Sequence, residues 1–307
     1  MSLKPGRKLM SASSMVLLVT VVVGCMSTAH LSESRQPLVV LLTDFGEKDH
    51  YVGAMKGAIY SASPGARIES ITNQVSKFDV MEGAYTLAQA ACEYPDGTIF
   101  VAVVDPGVGS SRNAVAIKAR NGKIFIGPDN GLLKPAAEEA GIVEMRRISN
   151  GRLMRRGEIS NTFHARDIFG PVAGHLAAGT PFEDVGPRLS HAVDLPRLEP
   201  AADNGRVIGH IVHVDDYGNV ITNIPIRMIE AIGLTLGSKA GLTIGNEEFK
   251  AEYARTYSDV DVGSPLFLSN RGFVEAATNR GNLARITGAA QGMTITIERG
   301  TGAGTLE

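Results

Sequence analysis

The run LVVLLT at residues 38–43 constrains this chain more than any other stretch of it. A strand with one wet face alternates apolar and polar residues, whereas an unbroken apolar run predicts a strand buried on both faces. Such strands belong to parallel sheets with helices packed on each side. The residues that follow agree. From Asp49 onward Val52, Met55, Ile59 and Tyr60 recur at helical spacing, and further strands are predicted at 67–71, 98–104, 114–119, 123–127 and 142–147. Helical patterns fall among them at 79–93 and 132–140, and again at 167–178. Strands alternating with helices predict a mostly parallel α/β sheet covered on both faces.

The pattern changes after residue 180. Pro181, Pro187, Pro196 and Pro200 interrupt 180–204, and beyond them short β segments are predicted at 206–214, 219–223, 241–244, 265–268, 272–276 and 293–298. Turns such as Asp216-Tyr217-Gly218-Asn219 and Gly245-Asn246 separate them. The expected division is an α/β domain at 37–190, a linker at 191–204 and a smaller domain, all-β or nearly so, at 205–307. With 307 residues and 44% apolar composition the chain can bury one large core or two smaller ones. Its charges are interspersed and sum to −2, so nothing in it argues for nucleic acid as a partner.

The first residues read as a signal rather than as fold. Lys4, Arg7 and Lys8 precede an apolar stretch from Met15 to Val23, closed by Gly24-Cys25. The stretch is too short for a stable membrane span. Val22-Val23-Gly24-Cys25 resembles the bacterial lipobox, in which the Cys is lipidated and becomes the mature N-terminus. The expected arrangement is a signal peptide at 1–25, a lipid anchor on Cys25 and a polar, Ser-rich tether at 26–36. Met26 follows the Cys where an inner-membrane retention signal has Asp, so the expected location is the periplasmic face of a bacterial outer membrane. Cleavage elsewhere, or an uncleaved anchor, is the alternative. Cys92 is then alone, and beside Ala90 and Ala91 in a helical pattern it is expected to be a small core residue without a cationic neighbour.

Two stretches carry chemistry, VVDPGVGSSR at 103–112 and TFHARDIFGP at 162–171. They supply a carboxylate, a guanidinium and an imidazole, Asp105, Arg112 and His164, in loops that follow apolar runs. No nucleophilic Ser or Cys, zinc box or phosphate cradle accompanies them. The three groups suit a site that holds and polarises water. Taken singly, Arg112 reads as well as a surface ion pair and His164 as a satisfied core residue. Asp44, at the end of the first strand, either accepts two ribose hydroxyls in a nucleotide crevice or caps a turn, with Asp49 capping the next helix. Asp44, Asp49, His50 and His164 are also conceivable metal ligands, but no second cluster has zinc spacing.

Seven motifs in order, TDFGEKDHYVGAMKG, FDVMEGAY, VDPGVGSSR, GPDNGLL, TFHARDIFGPVAGHLA, VDDYGNVITNI and NRGFVEAATNRGNLA, resemble the S-adenosyl-L-methionine hydroxide adenosyltransferase family, relatives of the fluorinases and chlorinases. The resemblance runs from about residue 38 to about residue 299. It implies an N-terminal α/β domain, a C-terminal β-barrel, and a homotrimer whose ligand lies between neighbouring subunits. It implies S-adenosyl-L-methionine and water as substrates, with no cofactor and no metal. By motif, Asp105, Arg112 and His164 match the residues that handle water, Asp44 the ribose contact and Asp49 the methionine amine contact. Asp215, Tyr217 and Asn219 match positions touching methionine and adenine, Asn270 and Arg271 the methionine carboxylate contacts, and Thr278 to Arg280 the adenine edge. Phe78 stands where a halogenase has Trp against the sugar, and Phe163 matches another ring beside the ligand.

The departures choose the branch. Halogenases carry Tyr where Asp105 stands, and a Tyr-Ser pair where His164-Ala165 stands. A halide needs neutral donors, and a carboxylate repels it; water needs an anionic acceptor with cations close by. The resemblance therefore implies hydrolysis of S-adenosyl-L-methionine to adenosine and methionine. A non-catalytic adenosine- or S-adenosylmethionine-binding lipoprotein, a halogenase and a metal-dependent hydrolase are the alternatives. Asn73 stands where many relatives show His, and the sequence assigns it no role.

Overall fold

The computed structural model describes residues 1–2, 37–196 and 198–300. Cys25, the rest of the signal after residue 2 and the whole tether lie outside the described residues. The first sheet has the order β2-β1-β3-β5-β4-β6, with β1 Leu38–Thr43, β2 Arg67–Thr72, β3 Ile99–Val103, β4 Ala114–Ala119, β5 Ile124–Pro128 and β6 Ile142–Arg147. The apolar run behaves as its composition requires. Val39 and Leu41 enter a core shared with the helices α1 (Tyr51–Ala62) and α4 (Gly170–Ala177), while Val40 and Leu42 enter a second core against α2 (Val80–Ala91) and α3 (Lys134–Glu139).

Four neighbouring strands, β2-β1-β3-β5, are parallel, and near one edge β4 runs antiparallel to both its neighbours, β5 and β6. Antiparallel pairing of β4 with β5 follows from the short turn between them, since a parallel crossover needs a dozen residues or more. β1 lies between β2 on one side and β3 on the other. The chain therefore reverses its direction of travel across the sheet at β1, and a crevice opens at the carboxyl ends of β1 and β3.

The second sheet closes on itself. Its order is β14-β10-β11-β12-β13-β9-β8-β7, and β8 also pairs with β14, so seven strands form a barrel with β7 outside it. The strands are β7 Ala201–Asp203, β8 Arg206–Val214, β9 Val220–Pro225, β10 Lys239–Ile244, β11 Glu247–Tyr253, β12 Pro265–Asn270, β13 Phe273–Thr278 and β14 Thr294–Arg299. Period two fills the interior: Ala240, Leu242 and Ile244 point inward from β10, Ile295 and Ile297 from β14.

The 191–204 linker runs against the first domain: Ala192 is buried, the Val193 N–H donates to Asp129, and β7 falls inside it. The barrel carries two short helices, α5 (Ile226–Ala231) and α6 (Leu283–Thr287). One expectation changes. Cys92 is exposed at the C-terminus of α2, with the Arg271 guanidinium 3.0 Å from its sulfur. Ala91 continues the core-facing stripe of Ala84 and Leu87, and Cys92, one residue further round the helix, is turned outward.

Candidate active site

Asp105 and Arg112 form a fork-on-fork pair. Arg112 Nε donates to Asp105 Oδ1 at 3.0 Å, and Nη2 reaches Oδ2. The two side chains are 5% and 10% exposed, so water screens this pair little. Arg112 Nη1 also donates to the Asn113 carbonyl at 3.2 Å, and its guanidinium lies over the buried Phe169 ring at 5.4 Å. Asp105 follows β3 directly, and Asn130 steadies that strand end by donating to the Val104 carbonyl at 2.9 Å.

His164 completes the group, with Nδ1 2.8 Å from Arg112 Nη2. A guanidinium has only donors, so Nδ1 accepts and the proton of the neutral ring sits on Nε2. Burial first, and then the Arg112 charge, push the imidazole below the usual histidine range, while Asp105 and Asp167 pull weakly the other way. His164 is thus neutral at pH 7, presenting an Nε2–H donor. It leads into a π-helical turn at Ala165–Phe169, a geometry concentrated at functional sites. Gly109 lets the two loops meet: it has φ +80°, and a Cβ there would lie 2.5 Å from the Asn161 carbonyl oxygen.

Sequence reasoning missed the carboxylate that sets this loop. Asp167 is fully buried; it accepts from the Ser160 N–H at 2.8 Å and pairs with Arg155 and Arg166. Burial raises its pKa, but Arg166, Ser160 and Arg155 outweigh that and hold the carboxyl below the usual range. The signal was an acid inside an apolar helical pattern, two residues after Ala165.

Asp44 stands across the crevice at the end of β1. It is buried, and its Oδ2 accepts the Phe78 N–H at 2.9 Å while Lys77 Nζ donates to its backbone carbonyl. Phe78 is 68% exposed and held at φ +67°. Phe163 is nearly buried, edge-on to Phe45 and Tyr51 at 6.2 and 5.3 Å. Asp49 is exposed, and it does not cap α1, whose N-cap His50 makes no side-chain cap bond. Among the described residues no three His, Cys, Asp or Glu side chains gather as a metal ion requires.

The barrel residues form a second group. Asp215 accepts from the Tyr217 and Asn219 N–H groups at 3.0 and 2.8 Å, and from Asn219 Nδ2 at 2.9 Å, so its carboxylate organises its own turn. Gly218 packs that turn against Asn282, beside the Thr278 to Arg280 loop. Tyr217 is 79% exposed. Asn270 donates to the buried Glu275 at 2.7 Å, and Arg271 reaches Gln89, Cys92 and Glu139. Glu275 also escaped the sequence reading.

Within one chain Arg271 does not reach the Asp44 loop. Arg271 lies at the C-terminal end of α2, whereas Phe78 and the Asp44 loop lie at its N-terminal end. Twelve residues of helix put these ends about 18 Å apart. The four non-glycine residues at positive φ are Phe78, Asn204, Arg271 and Arg280, among the described residues. Three of the four are candidate ligand contacts, the kind of position where backbone strain collects.

Comparison with known proteins agrees with this layout. Residues 39–186 match the SAM hydroxide adenosyltransferase N-terminal domain, and residues 209–296 match the C-terminal domain. The chain belongs to that family. An "(R)-S-adenosyl-L-methionine hydrolase" of Salinispora tropica is 34% identical over 269 residues, covering 86% of this chain and 98% of the relative. A fluorinase of Nocardia brasiliensis is 28% identical over 299 residues, covering 88% and 99%. A crystal structure of an uncharacterized conserved protein from Thermotoga maritima matches with a TM-score of 0.80 and 40% identity, over 85% of this chain and all of that one. Family membership and this neighbour establish the parallel-rich α/β domain followed by a β-barrel.

The neutral imidazole gives a direct test. By histidine NMR, His164 is expected to titrate below the unperturbed value of about 6.5. Arg112→Gln removes a cation that disfavours the imidazolium and should move the transition upward. A wild-type transition at or above the unperturbed value would contradict the geometry described.

Proposed function

We propose that this chain hydrolyses S-adenosyl-L-methionine to adenosine and L-methionine. The observation that carries the reading is the buried Asp105–Arg112–His164 group at the reversal point of the sheet. Methionine leaves C5′ as a neutral thioether, so the leaving group needs no general acid. The barrier lies in aligning water, a poor nucleophile with a pKa of about 15.7, behind the C–S bond.

The residues divide that work. Arg112 occupies one lone pair on each Asp105 oxygen, leaving others to accept from water. His164 donates from Nε2 and keeps the water's attacking lone pair turned away from the carboxylate. As the C5′–O bond forms and the C–S bond breaks, Asp105 takes the proton and later releases it to solvent. Such general-base help is worth roughly 10²–10⁴-fold, and positioning adds to it. The sulfonium charge vanishes in the transition state, so a carboxylate against sulfur would favour substrate instead. Asp44 therefore takes the ribose hydroxyls and Asp49 the amine, with Phe78 and Phe163 beside the ligand. A halide at the water position would face the Asp105 carboxylate, which disfavours halogenation. No cofactor or metal takes part.

The site is shared between subunits of a homotrimer, with Asp215, Tyr217, Asn219, Asn270, Arg271, Thr278 and Arg280 supplied by a neighbour's barrel. The separation of the two groups along α2 supports this, as does the exposure of Phe78 and Tyr217. The lipobox supports a lipid anchor at Cys25 and a place on the periplasmic face of the outer membrane. A non-catalytic binding protein would have no use for a buried carboxylate, guanidinium and neutral imidazole in one crevice.

In oxygen-18 water, one labelled oxygen is expected at the 5′ position of adenosine and none in methionine, with no 5′-haloadenosine at high chloride or fluoride. Asp105→Asn should lower kcat roughly 100-fold or more while KM changes little. Unlabelled adenosine, haloadenosine from the wild type, or an Asp105→Asn enzyme that only loses affinity would each overturn the reading.

Sharing is tested by mixing. Asp105→Ala and Arg271→Ala subunits are each expected to be inactive alone, and to recover activity when exchanged into mixed trimers. No recovery after verified exchange would place the whole site within one chain.

A further inference from the structure

Asn73 is 3% exposed, just beyond the end of β2, and both ends of its side-chain amide and its backbone carbonyl are directed at one loop or its support. Its Nδ2 donates to Glu47 Oε1 at 2.8 Å and to Ser70 Oγ at 3.2 Å. Glu47 is acceptor-only, so the amide orientation is fixed, and Oδ1 faces Thr43 Oγ at 3.1 Å as the acceptor. Thr43 Oγ in turn accepts the Phe45 N–H at 3.2 Å, and the Asn73 carbonyl accepts the Gly46 N–H at 2.6 Å. Residues 43, 45, 46 and 47 are thus tied to Asn73 directly or through one hydroxyl, and Asp44 is the residue left between them.

We propose that Asn73 is a positioning residue that sets the Asp44 carboxylate for the vicinal hydroxyls of the substrate's ribose. The proposal rests on the reading of Asp44 given above. The loop leaves the carboxyl end of β1 beyond Thr43, the last residue of the strand paired on either side. One Asp44 oxygen is already engaged by the Phe78 N–H, so the direction of the other depends on the backbone at residues 43–47. A buried amide polarised by the Glu47 carboxylate at one end and by the Thr43 hydroxyl at the other fixes that backbone without touching the ligand. A purely structural Asn73 would affect every ligand alike; a positioning Asn73 affects only ligands that carry the diol.

The test is binding of adenosine and of 2′,3′-dideoxyadenosine to the mature protein, measured by calorimetry for wild type, Asn73→Ala, Asp44→Asn and the double variant. Wild type is expected to prefer adenosine. Asn73→Ala should weaken adenosine about tenfold, as for loss of a charged-group hydrogen bond, and leave the dideoxy compound unchanged. In the Asp44→Asn background the same change should add nothing. If Asn73→Ala fails to fold, Thr43→Val removes the hydroxyl between Asn73 and Phe45 and should show the same selective loss. Equal weakening of both ligands, or effects that multiply in the double variant, would overturn the proposal while leaving the Asp44 reading intact. A wild type indifferent to the diol would overturn both.

Discussion

The Arg112 guanidinium is the element to which the rest of the crevice refers. Four of its five donors are spent, two on Asp105, one on the Asn113 carbonyl and one on His164 Nδ1, while its face rests on Phe169. One planar cation therefore fixes the carboxylate, chooses the tautomer of the imidazole and ties both to the hydrophobic core. A Lys there has the charge without the fork, and so cannot orient two partners at once. Because the pair is nearly dry, its geometry is kept without competition from solvent, and a water entering the crevice meets an acceptor and a donor already in place.

Much of this layout is legible in the residues, for identifiable reasons. LVVLLT has no polar face, so β1 had to lie between two cores, and it does. The Asp105 and His164 loops follow apolar runs, and loops at strand ends are where α/β sheets place ligands. β11 was missed because its outward positions read Glu248, Lys250 and Glu252 and its inward set opens on Glu247, so only Phe249, Ala251 and Tyr253 mark it as a barrel strand. Asp167 and Glu275 were missed for the opposite reason, since each sits in an apolar pattern as a buried carboxylate whose partners, the adjacent Arg166 apart, come from elsewhere in the chain. Pairing of that kind has no local spacing to read.

Asp215 carries a structural load beside the ligand contact its motif implies. Oδ1 accepts the Tyr217 and Asn219 N–H groups and Oδ2 accepts Asn219 Nδ2, which shapes the turn that presents Tyr217 and leaves a lone pair on Oδ2. Strain tells a related story. Phe78, Arg271 and Arg280 adopt positive φ although none is glycine, at positions where the two groups of candidate contacts face solvent. Backbone geometry of this kind costs stability and persists where the surrounding structure imposes it.

The central claim is a single in-line displacement at C5′ by a positioned water, with no intermediate held on the protein. Stereochemistry at that carbon reads it directly. S-Adenosyl-L-methionine made chiral at C5′ with deuterium is hydrolysed, and the configuration of the resulting adenosine is determined by NMR. Inversion is the result expected from water attacking behind the C–S bond. Retention would require two displacements through an enzyme-bound intermediate, loss of configuration would require a free cation, and either would contradict the role given to Asp105, Arg112 and His164.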